Sequence, residues 1–537
     1  MPLVKLHPDA FSRFYDGVGF TVNQFTRDYA LLDVTELTYL KAIAREPRNT
    51  DDIVADLQLQ IPNEPGDRVK ANFYKLASAL EDKRLVVAGN DLRELEDNQT
   101  GIYDKPYAVP EGGDNGQYVN PATFFFWYFQ KHPTIFGSQI DVTSECNFTC
   151  RHCYHPPKRN RVSLDTALTL NVLDQLSALG TLIVTFSGGE PLLHKDFAKI
   201  IRKARQADFI ITIQSNASLV DERVVEYLQE ANVATFHTSL FSLNAEDHDR
   251  VTGVPGSLKK ALRGIELLQR ANIPVLATCT VMKSNRHSYL SVSEWCAPRR
   301  VRCMTDFLMF ARTDCDTANL KERLDVQETE QVLREMMSYD NKDAAFGKSL
   351  RKSSVNMRSF RNRPVCDAGN STLCVSSSGD CYPCSGFIGY KVGNARERSI
   401  ADIWKRSTRL RKLRRITWAD FPECLQCKAF RFCSMCFGRN FNENRGNMLR
   451  PTAYQCDIAR LNMRIVKEVW RRPQEAADQK ESGGGFSHIG AIGPQGRQTY
   501  QKLSAVFGPS TYPATNCGIS ILGAGALSNL HKLLEDR

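Results

Sequence analysis

Cys146, Cys150 and Cys153 fall within ECNFTCRHCYH as a C-x3-C-x2-C run, just after the strand-like QIDVT. Three thiolates this close can hold three irons of a cubane cluster but cannot close a four-ligand site, so one iron stays open to a substrate or cofactor. A zinc knuckle completed by His152 or His155 is the alternative use of the same residues. Further on, FSGGEPLL ends the apolar run IVTF. There the Gly188-Gly189 turn lets backbone approach a ligand closely, and Glu190 supplies a carboxylate for a cation.

A second field of cysteines lies later in the chain. Cys366, Gly379 and Cys384 read C-x12-G-x4-C; Cys424, Cys427, Cys433 and Cys436 read C-x2-C-x5-C-x2-C, and Cys456 follows. A single zinc ribbon is the alternative here, but its paired knuckles usually sit roughly 15–20 residues apart, far more than this spacing. The chain has seventeen cysteines in all. An odd, clustered set fits a disulfide scaffold poorly and fits metal or iron–sulfur ligation well. Cys279, Cys296, Cys303, Cys315 and Cys517 stand apart and read as buried or incidental.

Together the first cysteine run and the GGE turn resemble the radical S-adenosylmethionine (SAM) superfamily. The resemblance implies a [4Fe–4S] cluster on Cys146, Cys150 and Cys153 whose fourth iron chelates the amino and carboxylate groups of S-adenosylmethionine. It also implies that Gly188, Gly189 and Glu190 meet the methionine amino group, and that cleavage yields a 5′-deoxyadenosyl radical. Ser215-Asn216-Ala217 stands where many members have T-N-G, which makes Ser215 and Asn216 cofactor contacts by the same resemblance. TSLFSLNAEDHDRVTGVPGSL is similar to the family's S-L-x-G-x-x-x-x-x-H-D-x-x-T-G segment, so Ser239 and Arg250 become candidates for the ribose and carboxylate. Ser239 as a plain strand end and Arg250 as a surface ion-pair partner are the alternatives. The later cysteines resemble the SPASM extension of peptide-modifying members, which holds two auxiliary [4Fe–4S] clusters. Its pattern is C-x9–15-G-x4-C, then C-x2-C-x5-C-x3-C, then a lone C, and this chain has x2 where the second group's last spacer is x3. The resemblance implies Cys424, Cys427, Cys433 and Cys456 for a distal cluster, and Cys366, Cys384 and Cys436 for a proximal one. Cys374 or Cys381 would be its fourth ligand, or else one iron is open. The catalytic acid or base is not identified.

These residues need a scaffold, and the pattern around them supplies one. From about 135 to 312, short apolar runs (IVTF, FIITI, PVLATCTV) alternate with helical stretches before Gly180 and Ala271, the signature of a parallel α/β sheet or barrel. The resemblance narrows this to a partial (β/α)6 barrel. Residues 313–360 are charged and helical, and 361–472 carry the auxiliary cysteines on a loop-rich unit. The basic run Lys405 to Arg415 reads as a solvated helix face, or as a complement to anionic clusters or an acidic peptide. Residues 473–537 form a Gly/Pro/Ser-rich tail, read as a docking or disordered segment or a tethered substrate.

At the front, GFTVNQFTRDYALLDV reads as a hairpin. Three helical patterns follow, on Leu37/Leu40/Ile43, on Ile53/Val54/Leu57 after an N-cap at Thr50, and on Val69/Phe73/Leu76/Leu80. Residues 1–92 therefore have a winged-helix outline, and 93–134 read as a linker. The front unit resembles the RiPP precursor recognition element, which binds the leader of a ribosomally made peptide by strand addition.

Composition closes off other classes. With 42% hydrophobic and 24% charged residues the chain can bury a sizeable core, and its net charge of +10 is mild for 537 residues. The most apolar stretch, Phe124 to Phe129, is far short of the ~20 residues of a spanning helix. The opening MPLVKLHPDA lacks the apolar core of a secretory signal, so a cytoplasmic address is expected.

The expected function is oxidative modification of a ribosomal peptide, by a C–C, C–S or C–O crosslink after hydrogen abstraction. The implied partners are a precursor peptide and a flavodoxin- or ferredoxin-type reductant, with no membrane or nucleic acid. Oxidation of a sulfatase side chain or a tetrapyrrole is the rival within enzymes. A redox-sensing DNA-binding regulator is the rival outside them.

Overall fold

A computed structural model describes residues 2–101, 121–156, 161–299, 301–339 and 361–471. Much of the expected linker, the second part of the 313–360 connector and all of the tail with Cys517 lie outside the described residues. The chain parts into two compact units at Tyr128/Phe129.

The first unit runs β1 (Leu3–Leu6), β2 (Ala10–Tyr15), β3 (Val18–Asn23), β4 (Tyr29–Leu32), α1 (Val34–Ala42), β5 (Arg48–Asn49), α2 (Thr50–Gln60), α3 (Gly66–Glu81), β6 (Val86–Gly89) and α4 (Leu92–Gly101). The expected hairpin is β3–β4, paired from Gly19↔Leu32 to Val22↔Tyr29, with β2 as a third strand on β3. Asn23 turns the chain between them, its Oδ1 accepting from the backbone N–H of Phe25 and Thr26. A second small sheet has β1 between β5 and β6. α1 starts on a capping box of Asp33 and Glu36. α2 is capped by Asn49 rather than Thr50, which is the first helical residue, buried with its hydroxyl 3.0 Å from that of Tyr74. Val4, Leu40, Ile53, Leu57, Val69, Phe73 and Val86 share one core.

α5 (Pro121–Lys131) and α4 are helical inside the stretch that reads as a linker. The apolar residues that a membrane span could not use give α5 an aromatic face: Phe125 meets Phe20 edge-on at 4.8 Å, and the Tyr128 hydroxyl donates to the Asp16 carbonyl at 2.7 Å.

The second unit continues β7 (Gly137–Thr143), α6 (Thr166–Ala178), β8 (Ile183–Gly188), α7 (Phe197–Gln206), β9 (Ile210–Gln214), α8 (Glu222–Glu230), β10 (Thr235–Ser239), α9 (Ala245–Thr252), α10 (Ser257–Arg270), β11 (Val275–Thr280), α11 (Tyr289–Cys296) and β12 (Arg302–Asp306). β7 to β12 lie side by side, all parallel. After α12 (Val326–Tyr339) the chain returns as β13 (Thr372–Val375), parallel to β7, and adds β14 (Asp380–Tyr382) and β15 (Gly393–Asn394) antiparallel. α13 (Ile400–Arg406), α14 (Thr408–Arg414), α15 (Pro422–Leu425), α16 (Phe437–Glu443) and α17 (Ala453–Arg471) complete it. Among the described strands the sheet runs β12-β11-β10-β9-β8-β7-β13-β14-β15, without β12 pairing to β15. It is a mixed α/β fold with a parallel-dominated centre, as expected.

Alternation gives this sheet two different faces. Val184, Phe186, Ile211, Ile213, Phe236, Val275 and Ala277 belong to the apolar core. The residues between them, in register across the strands, are Gln139, Thr185 and Thr212, then His237 and Ser239, then Thr278. That polar inner face leads to the strand C-terminal ends. No described helix is long and apolar enough to cross a membrane.

Candidate active site

The Cys146–Cys153 loop leaves the C-terminal end of β7 and is held from three sides. The backbone N–H groups of Thr149 and Arg151 donate to the carbonyls of Thr252 and Val251 at the end of α9. Asn147 links to the loop after β9, its Nδ2 donating to Ser218 Oγ and its Oδ1 accepting from Asn216 Nδ2, both at 2.8 Å. Asn319 donates to the carbonyls of His152 and Cys153 at 3.2 and 3.4 Å, and to that of Phe310 at 2.8 Å. Nothing in the sequence flagged Asn147 or Asn319; an asparagine in a loop carries no spacing signal.

The GGE turn is built into the same framework. Gly189 and Glu190 donate their N–H groups to the carbonyls of Thr143 and Glu145. A Cβ on Gly188 would stand 2.1 Å from the Thr143 carbonyl oxygen, and one on Gly189 2.0 Å from that of Glu145. The close approach these glycines allow is therefore to the strand feeding Cys146. Glu190 is fully enclosed, its carboxylate taking the N–H of Leu192 and Ser215 Oγ on one oxygen and the N–H of Asn216 on the other. Burial raises this carboxyl to about 7, with the three hydrogen bonds pulling the other way. Glu190, Ser215 and Asn216, all expected as cofactor contacts, thus form one network that reaches the cysteine loop through Asn147.

The remaining expected contacts are placed differently. Ser239 ends β10 half-buried on the inner face, beside Thr278. The Arg250 guanidinium turns to Asp247 one turn earlier on its own helix, the ion-pair alternative. The H-D pair of the same motif builds the local turn. His248 Nδ1 lies 3.0 Å from Ser257 Oγ, and Asp249 accepts from the N–H groups of Gly256 and Leu258 and from Ser257 Oγ.

Asp306, missed by the sequence, sits at the C-terminal end of β12. Burial raises its carboxyl, which accepts the N–H of Leu308 at 2.8 Å and feels the opposing positive charge of Arg439 on α16. Its polar strand RCMTD offered no apolar run to draw attention to it.

The later cysteines separate into groups. The Cys433 thiol, raised to about 12 first by burial, senses Cys424, Cys456 and Cys427; Cys424, raised to about 11, senses Cys456 and Cys427. Cys384 instead senses Cys436 and the carboxylate of Asp367, next to Cys366. Arg414, from the basic run, is an internal clamp rather than a solvated residue: it donates to the carbonyls of Gly369 at 2.7 Å and Trp404 at 3.1 Å.

Thiol chemistry tests whether these sets suit iron–sulfur clusters. Burial raises the Cys150 thiol, and Cys153 and Cys146 raise it further. Thiolates crowded like this coexist only around a cation, which iron supplies. Among the described residues no three His, Cys, Asp or Glu side chains converge as a single-ion site requires. Cubane thiolates each take a different iron and stand further apart. By their chemistry, as clustered thiols raised by burial and by one another's charge, these donor sets suit a cationic centre such as a cluster.

Comparison with known proteins agrees. Residues 140–295, from β7 to α11, match the Radical SAM superfamily, and residues 366–428 match the SPASM iron-sulfur cluster-binding domain. An AdoMet-dependent heme synthase of Methanosarcina barkeri is 26% identical over 322 residues, 56% of this chain and 90% of the relative. A PqqA peptide cyclase of Granulibacter bethesdensis is 25% identical over 313 residues, 54% of this chain and 79% of the relative. Streptococcus suis SuiB bound to its precursor peptide SuiA shares the fold, with a TM-score of 0.58 at 15% identity over 84% of this chain and 99% of SuiB.

Proposed function

We propose that this radical SAM enzyme, with its SPASM iron–sulfur domain, oxidatively modifies a ribosomally made peptide, most directly by closing a C–C, C–S or C–O crosslink. When bound, S-adenosylmethionine and the clusters supply a 5′-deoxyadenosyl radical to remove one hydrogen atom and an acceptor for the electron shed at ring closure. The chain's own residues do the rest. Cys146, Cys150 and Cys153 would hold the first cluster, and the Glu190–Ser215–Asn216–Asn147 network fixes the loop that carries them. The polar inner face ending at Ser239 and Asp306 would seat the reacting segment, with Asp306 placed to take the proton that closure releases. Residues 1–92 would hold the leader through main-chain hydrogen bonds.

The observation that carries this proposal is the pair of thiol groups beyond the first loop, Cys424/Cys427/Cys433/Cys456 and Cys384/Cys436. Reductive cleavage alone needs neither, whereas a net oxidation needs somewhere for the electron to go. The likeness to SuiB and to a PqqA peptide cyclase supports a peptide as substrate. The heme synthase relative favours a second reading, oxidation of a tetrapyrrole side chain.

Anaerobic turnover with S-adenosylmethionine, reductant and a candidate precursor peptide separates the two. A peptide product lighter by the two lost hydrogens, formed with 5′-deoxyadenosine, is the expected result. Product only from a porphyrin, with peptides unchanged, would favour the second reading.

A further inference from the structure

Two cysteines compete for the last place in the proximal set, and the sheet distinguishes them. β13 and β14 pair antiparallel with Cys374 opposite Tyr382 and Val375 opposite Cys381. Directly opposed residues share a face, so Cys374 and Tyr382 point one way and Val375 and Cys381 the other. Cys384 follows Tyr382 by two residues in extended backbone, φ −160° and ψ 168°, which returns it to the face of Cys374.

The neighbouring strand agrees. Cys374 is in register with Gln139 of β7, and Gln139 with Thr185 of β8, so it belongs to the inner polar row. Val375 and Cys381 face the other way, and the Cys381 thiol donates to the Gly379 carbonyl within its own turn. Cys374 is wholly buried, and the charges around its thiol are those of Asp141, Cys384 and then Cys381. The charges that Cys381 senses are Asp380 and Lys391.

We propose that Cys374, and not Cys381, is the fourth thiolate of the proximal cluster, completing a set with Cys366, Cys384 and Cys436. The assignment rests on the auxiliary-cluster reading above. It makes that cluster a closed, four-thiolate centre suited to passing electrons, with no iron left for direct substrate binding. A crosslink partner on the peptide would then be activated by protein side chains.

The test counts iron rather than turnover. In a background where Cys146, Cys150 and Cys153 are all alanine, every remaining iron belongs to the auxiliary clusters. Adding Cys374→Ala should remove about one iron per chain and give the EPR signal of a three-iron cluster on oxidation, because a cubane iron without a thiolate dissociates readily. Adding Cys381→Ala should leave iron and spectrum as in the background. Should the alanine variant not take up clusters, Cys374→Ser decides: serine oxygen keeps the iron, and one cluster's reduction potential moves, whereas Cys381→Ser moves neither. Iron lost only with Cys381→Ala overturns the assignment. Full iron in both alanine variants also overturns it, and points to an oxygen ligand such as Asp367. A background that holds no iron at all removes the auxiliary-cluster reading itself, a result distinct from either.

Discussion

His248 lies wholly buried on α9, its ring bonded to Ser257 and tilted against Phe241. Burial pushes its pKa down to about 4, against a smaller upward pull from Asp249. The folded chain therefore keeps His248 neutral at pH values where the unfolded chain, near 6.5, binds a proton. Stability from this group is complete above the unfolded value and is lost as pH falls from about 6.5 toward 4. At pH 5 the loss relative to pH 7 is about 2 kcal/mol. His248→Asn, which keeps a polar atom near Ser257, should shrink the drop in unfolding free energy between pH 7 and pH 5 by that amount, measured anaerobically by urea unfolding. An unchanged drop would mean that His248 is already charged in the fold. This residue also shows where motif reading stops. The resemblance offered Ser239 and Arg250 of this segment as cofactor contacts; its H-D pair, by its hydrogen bonds, builds the turn into α10. A sequence pattern cannot tell a contact from the turn that positions one.

At the scale of elements, legibility followed the apolar content of each strand. IVTF, FIITI and PVLATCTV stood out because one face of β8, β9 and β11 is fully apolar. β10 (TFHTS) and β12 (RCMTD) were overlooked because inward polar residues interrupt the run, and β13 to β15 because they are short. The cysteine spacings stood out because clustered thiols leave their mark in sequence order; the β13–β14 register that separates Cys374 from Cys381 did not. The junction of β7, β8 and the cysteine loop has its own test. Gly189→Ala would drive a methyl to 2.0 Å from the Glu145 carbonyl oxygen, so the strand feeding Cys146 must shift. Such strain costs on the order of 1–3 kcal/mol locally. Iron bound by the first cluster, and 5′-deoxyadenosine formation with it, should fall at least several-fold while auxiliary iron is retained. Gly137→Ala, where nothing lies within 4 Å of the new methyl, should change neither. Equal losses in both variants would show that the close packing at Gly189 is not what holds the loop.

Across the whole molecule, the chain parts into two compact units at Tyr128/Phe129. The cysteine loop, the GGE turn, the inner sheet face and both later thiol groups lie in the second unit, with its own core from Ile135 to Val466. None of the residues proposed for cofactor or cluster binding lies in the first. If the first unit only captures the leader, its removal should leave uncoupled S-adenosylmethionine cleavage intact and raise the peptide KM. Strand addition typically supplies most of its affinity through the leader backbone, so a rise of about 10-fold or more is expected. A chain beginning at residue 129 should accordingly form 5′-deoxyadenosine at the full-length rate without peptide. It should modify precursor only at raised concentration, and it should no longer distinguish a full precursor from its leaderless core. Continued preference for the leader in the shortened chain would place leader recognition on the second unit. Loss of uncoupled cleavage, with iron content unchanged, would mean that the first unit helps to build the cofactor site.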